Sequence, residues 1–111
     1  MEKLYSTGEF AKIAGVTIRT IRYYDKIGLL KPTMILENGY RRYCNNDLIT
    51  LQKILSLKEL GFSLEEIYPL IQDDDKDSFK KSIQLQTTLI DQKIQKLSNL
   101  KESLKTTEKL L

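Results

Sequence analysis

The segment Thr17-Ile18-Arg19-Thr20-Ile21-Arg22-Tyr23-Tyr24-Asp25-Lys26 restricts the fold of this 111-residue chain more than any other. Thr17 suits an N-cap, and helical spacing sorts the residues after it into two faces. With Ile18 set at zero, Ile21 falls at roughly 300° and Tyr24 at roughly 240°. Arg22, Lys26, Arg19 and Tyr23 fall at roughly 40°, 80°, 100° and 140°. One face is therefore apolar and must be covered. The other carries three cations and a phenol. Guanidinium groups grip phosphates or guanine edges, and hydroxyls donate to phosphate. A solvated surface helix has a similar arc, so the neighbouring segments decide between the two readings.

Ser6-Thr7-Gly8-Glu9 fits a capping box, with Glu9 three residues after its N-cap. Phe10, Ile13 and Ala14 follow at helical spacing, and Gly15 suits the left-handed position that closes a helix. Two short helices about a glycine turn form a helix-turn-helix, whose second helix enters the major groove of DNA. Plain core packing of two amphipathic helices is the bland alternative.

Gly28 is expected to end the second helix, with Leu29 to Pro32 running out as an extended arm. Asn38-Gly39 is the strongest turn signal in the chain. Tyr40-Arg41-Arg42-Tyr43 then returns as a strand, so the segment predicts a hairpin wing. Adjacent strand residues point to opposite faces, which leaves one of Arg41 and Arg42 for DNA. The bland reading is an edge strand whose arginines limit aggregation. Met34, Ile35 and Leu36 form an apolar run in the wing loop, and the direction of the loop Thr33–Gly39 stays open.

Asn45 or Asn46 is expected to cap a helix that begins near Asp47, continues through Leu48, Leu51, Ile54, Leu55 and Leu57, and stops at Gly61. Ser63 and Glu66 form a second capping box for a helix with Leu64, Ile67, Leu70 and Ile71. Pro69 predicts a kink or an early end there. After the polar break Asp73–Asp77, Asp77 or Ser78 is expected to cap a final helix. Ile83, Ile90, Leu97, Leu104 and Leu111 recur every seventh residue, with Ile94 and Leu100 between them, and Gln86, Lys93 and Thr107 interrupt the stripe. A helix of that extent is roughly 50 Å long. Its stripe must meet a partner, of which a second copy about a two-fold axis is the simplest.

Composition sets limits. Net charge is +3, too little to mark a nucleic-acid binder alone. Residues 1–62 hold ten Lys/Arg against six Asp/Glu and residues 63–111 eight against nine, so the basic excess falls where the DNA-facing elements are expected. There is no apolar leader and no membrane-length run, and one cysteine cannot pair internally; a cytoplasmic protein with no membrane partner is expected. With no histidine and one cysteine, no metal site or other cofactor is expected. Cys44 reads as a small packing residue rather than a redox sensor. No Gly-rich phosphate loop or carboxylate pair suggests an enzyme.

The runs YSTGEFAKIAGVTIRTIRYYDKIGLLKP, NGYRRY and DLITLQKILSLKELGFSLEEI, followed by the long helix, resemble the mercury-resistance-regulator (MerR) family over essentially the whole chain. The resemblance implies a mainly α fold. It consists of a winged helix-turn-helix with a small β-hairpin wing over residues 1–75, including a helical pair. A long coiled-coil dimerisation helix, antiparallel, follows over residues 76–111. It implies a homodimeric bacterial transcription regulator that binds promoter DNA and distorts an over-long spacer, reaching RNA polymerase through the DNA. Joined to the wheel, it points to Thr17, Arg19, Thr20, Arg22 and Tyr23 on the DNA side. It adds Tyr24, because both tyrosines of the pair approach the backbone in the family, and Arg41, Arg42 and Lys58. Ile83, Ile90, Ile94, Leu97, Leu100 and Leu104 are the expected dimer stripe. Family members commonly carry an effector domain after this helix, and none lies within these residues. Lys109-Leu110-Leu111 lacks a helix stop, which favours a piece of a longer regulator over a short member without ligand control; a drug-responsive parent fits the missing metal ligands. Two other functions compete: a winged-helix DNA-bending or recombination-accessory protein, and a coiled-coil interaction module that does not bind DNA.

Overall fold

A computed structural model describes residues 3–72 and 76–111. The elements run β1 (Tyr5–Ser6), α1 (Thr7–Ala14), α2 (Ile18–Lys26), β2 (Met34–Ile35), β3 (Arg41–Tyr43), α3 (Asn45–Glu59), α4 (Leu64–Gln72) and α5 (Lys76–Leu110). The first seven fall in one compact unit and α5 in a second.

Local signals start the first unit's helices. The Ser6 hydroxyl accepts from the Glu9 N–H, and the Glu9 carboxylate accepts from the Ser6 N–H. Those two hydrogen bonds to Ser6 hold the exposed Glu9 carboxyl below its usual pKa. Thr17 Oγ1 accepts from the Thr20 N–H at 3.1 Å and starts α2. Ser63 and Glu66 close a second capping box at α4. Gly28 ends α2 with φ +77, a conformation open to glycine at no steric cost. Its N–H donates to the Asp25 carbonyl and that of Leu29 to the Tyr24 carbonyl, the Schellman pattern.

The fully buried side chains come from four helices and β3: Phe10, Ile21, Tyr43, Leu51, Ile54, Leu57 and Ile67. The Phe10 and Tyr43 rings stack at 4.5 Å. Burying such rings and aliphatic chains is worth roughly 1.5–3 kcal/mol each, and that burial fixes α2 with its apolar side down.

Several local expectations need correction. A third strand exists: β1 pairs antiparallel with β3 (Tyr5↔Tyr43, Ser6↔Arg42), and β3 pairs with β2 on its other edge. Leu29 and Leu30 are not a free arm but lie 3% exposed in the core. Neither Asn45 nor Asn46 caps α3. The cap is Cys44, whose backbone N–H donates to Asp47 Oδ2 at 2.9 Å. Pro69 does not end α4, which runs on to Gln72. Proline removes one donor there, and buried Ile67 and Leu70 on either side hold the helix.

In the second unit α5 spans 35 residues, roughly 50 Å, and none is buried. It begins at Lys76, so Asp77 and Ser78 lie inside it rather than capping it, and Asp73 to Asp75 of the expected polar break fall outside the described residues. Ile83 is half-buried, while Ile90, Ile94, Leu97, Leu100 and Leu104 are between 41% and 71% exposed.

Candidate nucleic-acid interface

The buried side of α2 is Ile21, Tyr24 and Asp25. Thr17, Arg19, Arg22, Tyr23 and Lys26 are exposed and Thr20 half-buried, so the cationic arc is free on the surface. Thr17 and Thr20 hydroxyls lie 3.0 Å apart and engage each other as well as the cap.

Two grooves flank this arc. One is lined by Arg19, Thr20, Tyr23, Tyr24, Lys58 and Leu64, with a volume near 260 Å³. Lys58, in the last turn of α3, is thus brought beside α2. The other lies between α2, the start of α1 and the wing; Arg22, Tyr40, Arg41 and Arg42 line it with Ser6 to Gly8. Each groove sets cations beside hydroxyls or a helix start, which suits a phosphate strand on each side of α2. Tyr24 departs from the exposed set. It is 3% exposed, a core ring with only an edge on the Lys58 groove. The wheel angle near the apolar side already indicated this.

The wing is an ordered hairpin. The Gly39 N–H donates to the Leu36 carbonyl and the Leu36 N–H to the Tyr40 carbonyl, with Gly39 at φ +86. This is a three-residue loop ending in a left-handed glycine, rather than a two-residue Asn-Gly turn. The open question of its apolar loop is answered: Met34 and Ile35 are exposed and Leu36 half-buried. The two arginines divide as alternation requires. Arg41 Nε donates to Asp25 Oδ2, and Lys31 Nζ lies 3.5 Å from Asp25 Oδ1. Asp25 is 6% exposed and is the one buried acid among the described residues of this unit. Arg41 therefore fastens the wing to α2, while half-buried Arg42 shares its groove with Arg22. Asp25 was not singled out from the sequence, because its partners lie on other elements.

Tyr43 carries a second buried polar group. Among the described residues its hydroxyl has no hydrogen-bond partner. Burial, and next the nearby Asp25 carboxylate, push the phenol up to about 12. Cys44 is 5% exposed and packs beside it in sequence. Among the described residues no cluster of three His, Cys, Asp or Glu forms, and no helix is long and apolar enough to cross a membrane.

A family profile described as MerR HTH family regulatory protein matches residues 5–74, and one described as MerR, DNA binding, matches residues 48–108. The chain belongs to the MerR family. It is 43% identical over 96 residues to the HTH-type transcriptional activator TipA of Streptomyces coelicolor, covering 86% of this chain and 38% of TipA. The chain thus spans well under half the length of that relative. Among solved structures, the N-terminal part of the Bacillus subtilis multidrug transporter activator, MtaN, is similar with TM-score 0.83 and 36% identity, covering 93% of this chain and 96% of MtaN. HiNmlR, a MerR-family regulator lacking the sensor domain and bound to promoter DNA, is similar with TM-score 0.67 and 29% identity over 95% of this chain and 87% of its own. MerR relatives are transcription regulators, not enzymes.

Proposed function

We propose that this chain binds promoter DNA as a homodimer and regulates transcription by distorting the duplex it holds. The observation that carries the reading is the exposed cationic arc of α2 between two further cationic grooves. An arc alone suits any solvated helix. An arc with phosphate seats on both sides suits a helix lowered into a major groove. HiNmlR, of similar fold, is bound to promoter DNA, which supports the same use here. The DNA-facing set is Thr17, Arg19, Thr20, Arg22, Tyr23, Arg42 and Lys58, with Arg41 anchoring the wing and Tyr24 beneath.

The dimer rests on α5, whose apolar stripe no residue of its own helix can cover. A two-fold pair repeats the α2 surface twice along one duplex, matching a pseudo-palindromic site. RNA polymerase is then reached through the DNA, in the cytoplasm. The test is a footprint on DNA upstream of the chain's own gene, with transcription by purified polymerase read in parallel. Protection inside a promoter spacer with altered transcript supports the proposal, and Arg22→Ala should weaken both. Binding and bending without any change in transcript would favour a purely architectural protein. Absence of duplex binding would leave only the coiled-coil module.

A further inference from the structure

Helical spacing puts Ile18 on the apolar side of α2, yet the fold does not bury it. Ile21, one turn on, is fully buried, whereas Ile18 is 42% exposed. Ile18 is the first residue of the helix, straight after the Thr17 cap, so its Cα–Cβ bond tilts toward the helix start. Its δ-methyl ends 3.7 Å from where a Cβ on Gly8 would stand, and Gly8 has no such carbon to cover it. Gly8 and Arg22 line the same groove. On the helical wheel Ile18 lies only about 40° from Arg22. The other exposed apolar groups of this segment, Tyr23 and Ile27, lie toward its far end and line a separate hollow against α4. The first turn of α2 thus presents one branched hydrocarbon group among exposed Thr17, Arg19 and Arg22.

The N-terminal residues of a recognition helix are the ones that meet base edges. In the major groove those edges are hydrogen-bond donors and acceptors, with one exception, the C5-methyl of thymine. An isoleucine pressed on the amino group of cytosine or adenine would leave that group dry and unpaired, at a cost in free energy. Against a thymine methyl it buries hydrocarbon on both sides. Resting on the proposed DNA binding, we infer that Ile18 reads one thymine methyl in each half of the site, beside the bases that Arg22 meets. The contact selects by excluding the polar edges as much as by attracting the methyl. It neutralises no phosphate, so it adds sequence preference without adding to the salt dependence.

The experiment removes the methyl from the DNA and leaves the wild-type chain intact. A duplex is selected by that chain from a random pool, and each thymine of the selected site is replaced in turn by deoxyuridine, which keeps the base pair and loses only the methyl. At one position of each half-site the replacement is expected to weaken binding about fourfold, as suits burial of one methyl group. The salt slope should stay at its wild-type value. Ile18→Ala should bind the selected site more weakly and no longer distinguish thymine from deoxyuridine at that position. Arg22→Ala, weaker overall, should keep the fourfold difference. A second selection with Ile18→Ser should return sites in which that position is no longer held as thymine. A wild-type chain indifferent to deoxyuridine at every position would overturn the inference while leaving DNA binding intact. So would an Ile18→Ala that keeps the full discrimination, since another group would then be touching the methyl. Failure of the wild-type chain to select any duplex would remove the DNA reading itself.

Discussion

At the scale of single residues, buried polar groups set the stability terms that can be tested. The Tyr43 ring contributes through its stack on Phe10, and its hydroxyl is desolvated without compensation. Leaving such a group unpaired costs about 1–3 kcal/mol, so Tyr43→Phe should stabilise the chain, by about 1 kcal/mol, in urea unfolding. A loss of stability would reveal a partner for the hydroxyl. The same phenol gives a pH signature. Unfolded, it ionises at its ordinary value of 10.0, and folded only at about 12. Above pH 10 the unfolded chain releases this proton first, so stability is full below 10 and falls as pH rises to 12. The difference in unfolding free energy between wild type and Tyr43→Phe should therefore widen over that window and stay flat below it. Asp25 works in the opposite sense, because its charge is paired with Arg41 and Lys31. Asp25→Asn keeps the shape and removes the charge. It should cost about 1–3 kcal/mol and raise amide exchange in β3 while α1 keeps its protection. Uniform loss of protection would show that the pair holds the core, not the wing.

Elements follow from local chemistry where their signals are local, and escape a reading of sequence where they are not. Ser6 with Glu9, Thr17, and Ser63 with Glu66 lie within one turn of what they cap, so the starts of α1, α2 and α4 were legible in the chain. The two-residue β1 has no periodicity to read, and exists because β3, 36 residues later, supplies its ladder. Cys44 caps α3 by its backbone, a role no side-chain preference announces. The site divided in the same way. Periodicity gave the α2 arc, whereas the Arg41–Asp25 tie and the placement of Lys58 beside Tyr23 depend on contacts between elements. That difference predicts distinct phenotypes within one interface. In the proposed complex Arg22 sits on the arc that faces base edges, and Lys58 beside a phosphate seat. Arg22→Ala should cost about 1–3 kcal/mol on a selected site and relax its sequence preference. Lys58→Ala should weaken all duplexes alike and reduce the salt slope by about one. Equal losses and equal slopes in a salt titration would refute the division of roles.

At the scale of the whole molecule, the proposed function depends on how two copies of α5 meet. A heptad stripe alone permits parallel or antiparallel pairing, because the same residues are apolar along both directions. The two orientations bring different residues together. In a parallel pair each stripe position faces its own copy, so Ile83 meets Ile83. In an antiparallel pair whose stripes overlap from Ile83 to Leu104, Ile83 meets Leu104 of the second copy and Ile90 meets Leu97. The chain is suited to the test, since its single cysteine, Cys44, is 5% exposed and out of reach of reagents. Ile83→Cys and Leu104→Cys can then be prepared separately and mixed under mild oxidation. Disulfides form only where Cα atoms approach within about 7 Å. Antiparallel pairing predicts rapid crosslinking in the mixture and none in either variant alone. Parallel pairing predicts that each variant crosslinks to itself. Leu97→Asp should abolish crosslinking in both cases and give a monomer by sedimentation. Its residues 3–72 should keep their unfolding transition, because the fully buried side chains among the described residues lie in that unit. Only the antiparallel outcome has the two chains enter the paired helices from opposite ends, about 50 Å apart at most. In the proposed function, that separation lets one dimer grip two sites on a duplex and strain the DNA between them.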